Sequence, residues 1–313
     1  ERERQVWLIE EAKQARDSNA VGLKTAYATG KVRHTIEDGG PITVLVDADI
    51  QVFYDAPKFR VHLVYAQLLT EQFQNSQTPD ENFEKWKPSS RSEQVIVYNG
   101  SHLVSVTTEK DGNSQGTIYF GFSKMTVLRN AGFPFEDPVQ LWTQALSLEG
   151  LDSRALSITE LQKGGFVGLM QKNRYRMKFF VCDDFGYDLR RVSSYRTGEL
   201  HPFRDYLLEW SQNQDVHYVT RFSNSWSSAN PDTGAAHGVV RSLSVEYSEF
   251  QANPAIAPEV FTLPSMSIPD GTRFTDKRSK VEFGPRELIF NAGQLTDASS
   301  GKLYPLQTQA TGR

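Results

Sequence analysis

Residues 43–54 read Thr-Val-Leu-Val-Asp-Ala-Asp-Ile-Gln-Val-Phe-Tyr, and the alternation in that stretch decides the fold class. In extended chain, successive side chains point to opposite faces, so Val44, Val46, Ala48, Ile50, Val52 and Tyr54 share one face. Asp47, Asp49 and Gln51 lie on the other, together with Leu45 and Phe53. The same period of two recurs from about residue 23 to residue 263 with few helical interruptions, which specifies a curved antiparallel sheet.

Outward from this strand the punctuation is that of a meander. Strands are expected over 23–36, 42–54 and 58–65, separated by Gly39-Gly40-Pro41 and Asp55-Ala56-Pro57. Residues 67–92 lose the alternation and read as a polar insertion loop of the lid kind. Strands resume at 94–98 and 101–108, joined by Asn99-Gly100, the signature of a type I′ hairpin turn. A strand at 117–122 follows Asp111-Gly112. Further strands are expected at 166–170, 174–183, 187–195, 206–210, 216–222 and 239–250, and one more at 287–290.

Helices are expected in two places. Residues 1–18 carry Val6, Ile9, Ala12 and Ala15 at amphipathic spacing with Trp7 and Leu8. Residues 136–149 form a covering helix, with Asp137 as its cap, Pro138 in its first turn, Trp142 on its apolar side and Gly150 as its stop. The fold class is therefore mainly β with some α: a large curved antiparallel sheet forming an incomplete β-barrel, with an N-terminal helix and covering helices. Two segments are drawn: a half-barrel domain over 1–264, holding the 67–92 insertion, and a partly irregular C-terminal extension over 265–313.

A chain of 313 residues buries enough surface to be stable without disulfides or a structural metal. Its 34 basic and 38 acidic side chains are interspersed and leave a net charge of −4, which disfavours binding to nucleic acid through phosphate neutralisation. The single Cys182, beside Phe179, Phe180 and Val181, reads as an inert strand thiol. No segment has the length and apolarity of a transmembrane helix. The chain begins at Glu1 without a methionine, so a processed or truncated N-terminus is expected, with any export signal outside it.

The chemistry-bearing residues are scattered. His34, His62, His102, His201, His217 and His237 do not pair at metal-ligand spacing, and no metal or other cofactor is expected. Asp47 with Asp49 share a strand face, and Asp183-Asp184 precede Phe185-Gly186 as a turn; solvated surface and backbone bonding explain both. There is no nucleophile elbow, no phosphate loop and no dinucleotide fingerprint. Asn99-Gly100-Ser101 fits a glycosylation acceptor formally, but its hairpin role accounts for it. No catalytic residue is assigned. A hydrolase would need a histidine such as His237 brought within reach of a serine and an aspartate in a cleft.

A set of short motifs resembles one family. The N-terminal helix, a third strand opening on Pro57-Lys58-Phe59-Arg60, and a strand running into Tyr98-Asn99-Gly100 are similar to the periplasmic lipoprotein-carrier superfamily of LolA, LolB and RseB. The strand over 245–250, then Asn253, Pro254 and Ile256, and the phrase Phe261-Thr262-Leu263-Pro264 resemble that superfamily's closing segment. The resemblance spans about residues 1–264, and the chain departs from it in the 67–92 insertion and in the tail after Pro264.

The resemblance implies an incomplete barrel covered by helices, a location in the periplasm or cell envelope, and a concave face that holds or senses the acyl group of a lipoprotein. An envelope protein is a second partner class. Burying a palmitoyl-length chain is worth on the order of 12 kcal/mol at about 0.8 kcal/mol per methylene. The expected role is a non-enzymatic binding protein with an apolar cavity. Candidate cavity residues, chosen for size and face, are Tyr54, Phe59, Val61, Tyr98, Trp142, Met177, Phe179 and Tyr247. The alternatives are a protein-interaction module with a filled barrel and, behind it, an envelope hydrolase.

Overall fold

The structure is a computed structural model that describes residues 3–4, 7–8, 10–11, 14, 23–37, 40–72, 85–120, 156–160, 165–172, 175–182, 188–196, 198, 201–213, 216–227, 240–278 and 286–306. Its strands are β1 (Thr25–Glu37), β2 (Thr43–Asp55), β3 (Lys58–Gln72), β4 (Lys85–Pro88), β5 (Arg91–Tyr98), β6 (His102–Glu109), β7 (Ser114–Phe120) and β8 (Leu156–Glu160). They continue as β9 (Phe166–Lys172), β10 (Tyr175–Cys182), β11 (Asp188–Arg196), β12 (Arg204–Asn213), β13 (Val216–Ser227), β14 (Val240–Ala252), β15 (Arg273–Asp276), β16 (Arg286–Asn291) and β17 (Gln294–Asp297).

The period-two pattern is realised as burial. Along β1, Ala26, Ala28, Gly30 and Val32 are buried while their neighbours are half-buried or exposed. In β2, Ala48, Ile50 and Val52 are buried on one face as the alternation requires. Leu45 is buried too, on the opposite face, so this strand is not apolar on one side only.

The chain divides into two compact units. The first comprises Glu1–Lys24, Lys31–Val44 and Leu128–Ala252. Within it β8 to β14 form an antiparallel meander in which Phe179 opposes Val192, Val192 opposes Tyr206, and Phe222 opposes Val245. These residues share one buried face. The other face carries Lys178, Ser193, Asp205 and Ser225 in register, with Arg191, two residues from Ser193 along β11, holding Asp205 through two bonds of 2.9 and 2.8 Å. Gly168 faces Phe179, whose ring lies 2.5 Å from where a Cβ would stand, so only glycine lets the ring cross that strand.

The second unit comprises Thr25–Gly30, Leu45–Val127 and Asn253–Arg313. Here β2, β3, β5, β6 and β7 run antiparallel in sequence order, and β15 then joins β7 in parallel, followed by antiparallel β16 and β17. A parallel pair needs a long crossover. In this chain the crossover is everything between Phe120 and Arg273. The C-terminal segment belongs to the core: Phe261, Met266, Ile268, Phe274, Leu288, Phe290 and Leu295 pack on Val95, Val97, Val104, Val106 and Ile118. The boundary drawn at residue 264 therefore falls inside a unit. Thr25 anchors the start of this segment, accepting from Asn253 N at 2.8 Å through its carbonyl and donating its hydroxyl to Pro254 O at 2.7 Å.

Several expectations change. The described residues contain no covering helix. Glu3, Arg4, Trp7, Leu8, Glu10, Glu11 and Gln14 have helical backbone, and the two 3-10 turns Pro258–Phe261 and Pro264–Met266 are the other helical pieces among the described residues. The helix expected at 136–149, with Trp142, lies outside the described residues, as do His237, Asp183 and Asp184. No strand pairing among the described residues closes a barrel; the sheets are open.

The 67–92 stretch is strand at both ends, because β3 continues to Gln72 and β4 returns along it with Leu69 opposite Pro88 and Gln72 opposite Lys85. Polar side chains concealed that pairing, since an edge strand needs no apolar alternation. At the β5–β6 turn, Gly100 has φ 101° and Asn99 does not have positive φ. Gly100 and Ser101 are the central pair, with glycine first as in a type II′ turn, and Asn99 precedes them.

A candidate binding cavity in the second unit

The β5–β6 hairpin and the C-terminal segment line a half-open cavity of about 430 Å³, within the usual range for small-molecule sites. Its floor is the face of β5 and β6 that carries Val97 and Val104. Its walls are Pro258, Phe261, Pro264 and Met266 from the two 3-10 turns, Leu263 from between them, Leu295 from β17, and Leu303, Tyr304, Pro305 and Leu306 from the chain beyond that strand. Lys58, Asn99, His102, Thr262 and Gln294 supply the polar lining.

Local sequence explains how each wall is placed. Prolines at 258 and 264 open the two 3-10 turns, where a missing N–H is no loss. Ser267 in the left-handed region, φ 54°, turns the chain out of the second of them. After β17, Asp297 Oδ1 accepts from the backbone N–H and hydroxyl of both Ser299 and Ser300. That turn sends the chain back so that Tyr304 N donates to Leu295 O at 2.7 Å, which sets residues 303–306 against the cavity.

At one end of the cavity His102 is only 2% exposed and its ring is fully engaged. Asn99 Oδ1 accepts from the backbone N–H groups of Ser101 and His102 at 3.0 and 3.2 Å, and from Ser101 Oγ at 3.0 Å. Two backbone donors can only face an acceptor, so the amide nitrogen of Asn99 points the other way and donates to His102 Nε2 at 3.1 Å. The imidazole proton then sits on Nδ1 and is donated to Ser101 Oγ at 2.7 Å. Asn99, Ser101 and His102 form a closed ring of hydrogen bonds that locks the hairpin. A serine nucleophile requires the reverse polarity, with an imidazole nitrogen accepting the hydroxyl proton. The Asn99 amide is likewise committed to the turn.

Behind His102 lies a buried ion pair. Asp276, 1% exposed, accepts from Arg278 Nε at 3.0 Å, Arg278 Nη2 at 2.8 Å, the Arg278 backbone N–H at 2.9 Å and the Tyr304 hydroxyl at 2.7 Å. Burial acts to raise the Asp276 carboxyl, but the bonds from Arg278 and Tyr304 outweigh it and hold it below the usual carboxylate range. His102 is depressed to about 4, first by burial and then by the Arg278 charge, against an opposing pull from Asp276.

A depressed histidine pKa means that the folded state binds fewer protons than the unfolded state between about pH 4 and 6.5. Stability therefore rises with pH across that window, is complete above 6.5 and is lost as pH falls toward 4, by about 3 kcal/mol in all. We expect wild-type protein to lose about 2–3 kcal/mol more than His102→Gln between pH 7 and pH 4.5 in urea denaturation. Equal losses in the two proteins would refute the assignment.

Of the eight residues chosen from sequence, Trp142 lies outside the described residues and the other seven do not line this cavity. Tyr54, Phe59, Val61 and Tyr98 belong to the second unit, with Tyr54 opposite Phe59 and Phe59 stacked on Tyr98 at 5.6 Å between ring centroids. They occupy the face of the sheet opposite to Val97 and Val104, since Tyr98 pairs with Leu103 while Val97 pairs with Val104. Met177, Phe179 and Tyr247 belong to the first unit, with Phe179 and Tyr247 on its buried face. Burial raises the Tyr247 phenol above its ordinary value. Lys58 and Asn99, each next to a residue named from sequence, are the cavity residues that strand parity on the chosen face passed over.

The other described histidines are dispersed. His34 lies 5.6 Å from the Trp226 ring and is lowered by burial and by Arg241, and His62 Nε2 stands 2.6 Å from Glu93 Oε1. Among the described residues no group of three His, Cys, Asp or Glu side chains is arranged to hold a metal.

No family model matches the chain, and no curated protein matches it either. Among solved structures it is similar to a DUF1329 family protein from Desulfovibrio piger, with 10% identity over 83% of this chain and 98% of that one and a TM-score of 0.41. It is also similar to lipovitellin, from a structure concerned with lipid–protein interactions, with 8% identity over 75% of this chain and a TM-score of 0.27. A third likeness is to PNGF-II, with 10% identity over 81% of this chain and a TM-score of 0.21. The chain spans 26% of the lipovitellin chain and 31% of the PNGF-II chain. Each of these three TM-scores is below 0.5.

Proposed function

We propose that this protein is a non-enzymatic binding protein for a small lipid or acyl compound, held in the cavity between the β5–β6 hairpin and the C-terminal segment. The observation that carries the reading is the 430 Å³ space walled by Val97, Val104, Phe261, Leu263, Met266 and Leu306, a lining that is mostly apolar. Apolar walls favour a ligand that gains from leaving water, at about 25 cal/mol per Å² buried. The polar groups most suited to chemistry are committed internally: His102 and Asn99 to the hairpin lock, and Asp276 and Tyr304 to Arg278 and each other. The cell-envelope setting implied by the lipoprotein-carrier motifs is part of the proposal.

The test is binding of a neutral apolar fluorophore, N-phenyl-1-naphthylamine, to wild-type protein and to Leu306→Trp. Leu306 is half-buried at the cavity wall, and indole there fills the space at a modest packing cost of about 1–3 kcal/mol. Saturable binding by the wild type, weakened at least tenfold in a folded Leu306→Trp protein, is the expected result. A wild type that does not bind the dye, or a variant that binds it equally, overturns the assignment of this cavity.

A further inference from the structure

We infer that the ligand is an anionic single-chain amphiphile, a fatty carboxylate, whose head group pairs with Lys58. This rests on the cavity reading above and names the chemistry that the same site selects. The lining contains one ionised side chain, Lys58, and no Asp or Glu among the described residues. The histidine on the wall is neutral, its two nitrogens engaged by Asn99 and Ser101. The cavity therefore presents a single positive charge beside an apolar interior.

Lys58 is positioned for that role. It follows the Asp55-Ala56-Pro57 turn at the start of β3, and its side chain is 37% exposed. The ammonium stands 5.9 Å from the centre of the buried Phe261 ring, which draws it over the cavity wall by cation–π attraction. Its ion pair with Asp55 is long, 3.9 Å, and half in solvent, so an incoming carboxylate exchanges a weak partner for a better one.

Size chooses between lipid classes. At roughly 30 Å³ per water-sized group, 430 Å³ holds about fourteen such groups. That matches one medium chain better than the two of a phospholipid. A single monovalent cation without a cluster of further donors matches a monoanionic carboxylate better than a phosphate dianion.

The experiment measures binding of dodecanoate, dodecanol and dodecyl phosphate, by displacement of N-phenyl-1-naphthylamine, to wild type, Lys58→Met and Lys58→Arg. We expect wild type to prefer dodecanoate about fivefold, Lys58→Met to lose the preference while keeping its affinity for dodecanol, and Lys58→Arg to retain it. Circular dichroism and thermal denaturation establish that each variant is folded. Equal binding of acid and alcohol by wild type, or a preference that survives Lys58→Met, overturns the head-group inference and leaves the cavity reading standing. Dodecyl phosphate preferred over dodecanoate overturns the choice of carboxylate. Displacement by neither chain overturns the cavity reading itself.

Discussion

Phe274→Ala is expected to destabilise the second unit by about 4 kcal/mol, within the usual 3–5 kcal/mol for truncating a buried phenylalanine. Phe274 is 1% exposed and packs with Phe290, their ring centroids 6.4 Å apart. Its position is specified across the parallel β7–β15 pair. Phe274 is in register with Gly116, and its ring lies 2.1 to 2.4 Å from where a Gly116 Cβ would stand. The absence of a side chain at Gly116 is what allows the ring to cover β7, as aromatic rings do over glycine in sheets.

Two consequences separate this from generic core damage. Gly116→Ala alone is expected to cost about 2 kcal/mol, because the ring must move out of a packed core. In the Gly116→Ala, Phe274→Ala double variant the costs should fall short of additivity by about 1 kcal/mol or more, since the clash is gone once the ring is. Hydrogen exchange of the peptides covering Ser114–Phe120 and Arg286–Asn291 reads the effect where it arises. Additive costs, or exchange unchanged there, would sink the account of how the C-terminal segment docks.

The second large effect is Asp276→Ala, for which we expect a loss of about 3–5 kcal/mol, the range for removing one partner of a buried ion pair. The loss reflects what is left behind more than what is removed. Arg278, whose side chain is 16% exposed, would keep its charge with its guanidinium bonds to the carboxylate gone, and Tyr304 would lose its acceptor. Replacing both ions, Asp276→Leu with Arg278→Met, should recover much of that loss, because two apolar groups need no partner.

Acid titration should echo the single substitution. The Asp276 carboxyl is depressed in the folded state, so its contribution is complete above the unfolded value near 4 and is lost as pH falls through the lower folded value. Because Tyr304 lies on the cavity wall, Asp276→Ala should also weaken dye binding, whereas the paired apolar variant distinguishes loss of fold from loss of the site. A single variant as stable as wild type in urea denaturation would show that the pair is not holding β15 in place.

Much of the β architecture was legible because burial of one face leaves a mark at every second residue. β1, with Ala26, Ala28, Gly30 and Val32 inward, and β10 to β14 are cases where the alternation is long enough to read. β15 and β17 were not legible. Each has four residues, so parity rests on two apolar side chains at most, and the partner that makes β15 a strand lies more than 150 residues earlier in β7. The edge pair β3–β4 was concealed for the opposite reason, since solvated edges carry no apolar mark. The type of the hairpin turn was missed by one position, because Asn-Gly serves equally as a central pair or as an anchor before glycine.

The cavity shows the same division. In β5, Val95, Ile96 and Val97 are all buried, as are Leu103 and Val104 in β6, so both faces of this hairpin are apolar and sequence parity does not distinguish them. The sequence by itself determined which residues alternate, where the chain must turn and that no broad charged face exists, since these arise from local geometry and composition. Only the tertiary structure decided which face is lined by the C-terminal segment, that Lys58 brings its charge to the cavity wall, and that Asp276 is buried against Arg278 and Tyr304. Those depend on contacts between residues far apart in the chain, and chain connectivity leaves no periodic trace of them.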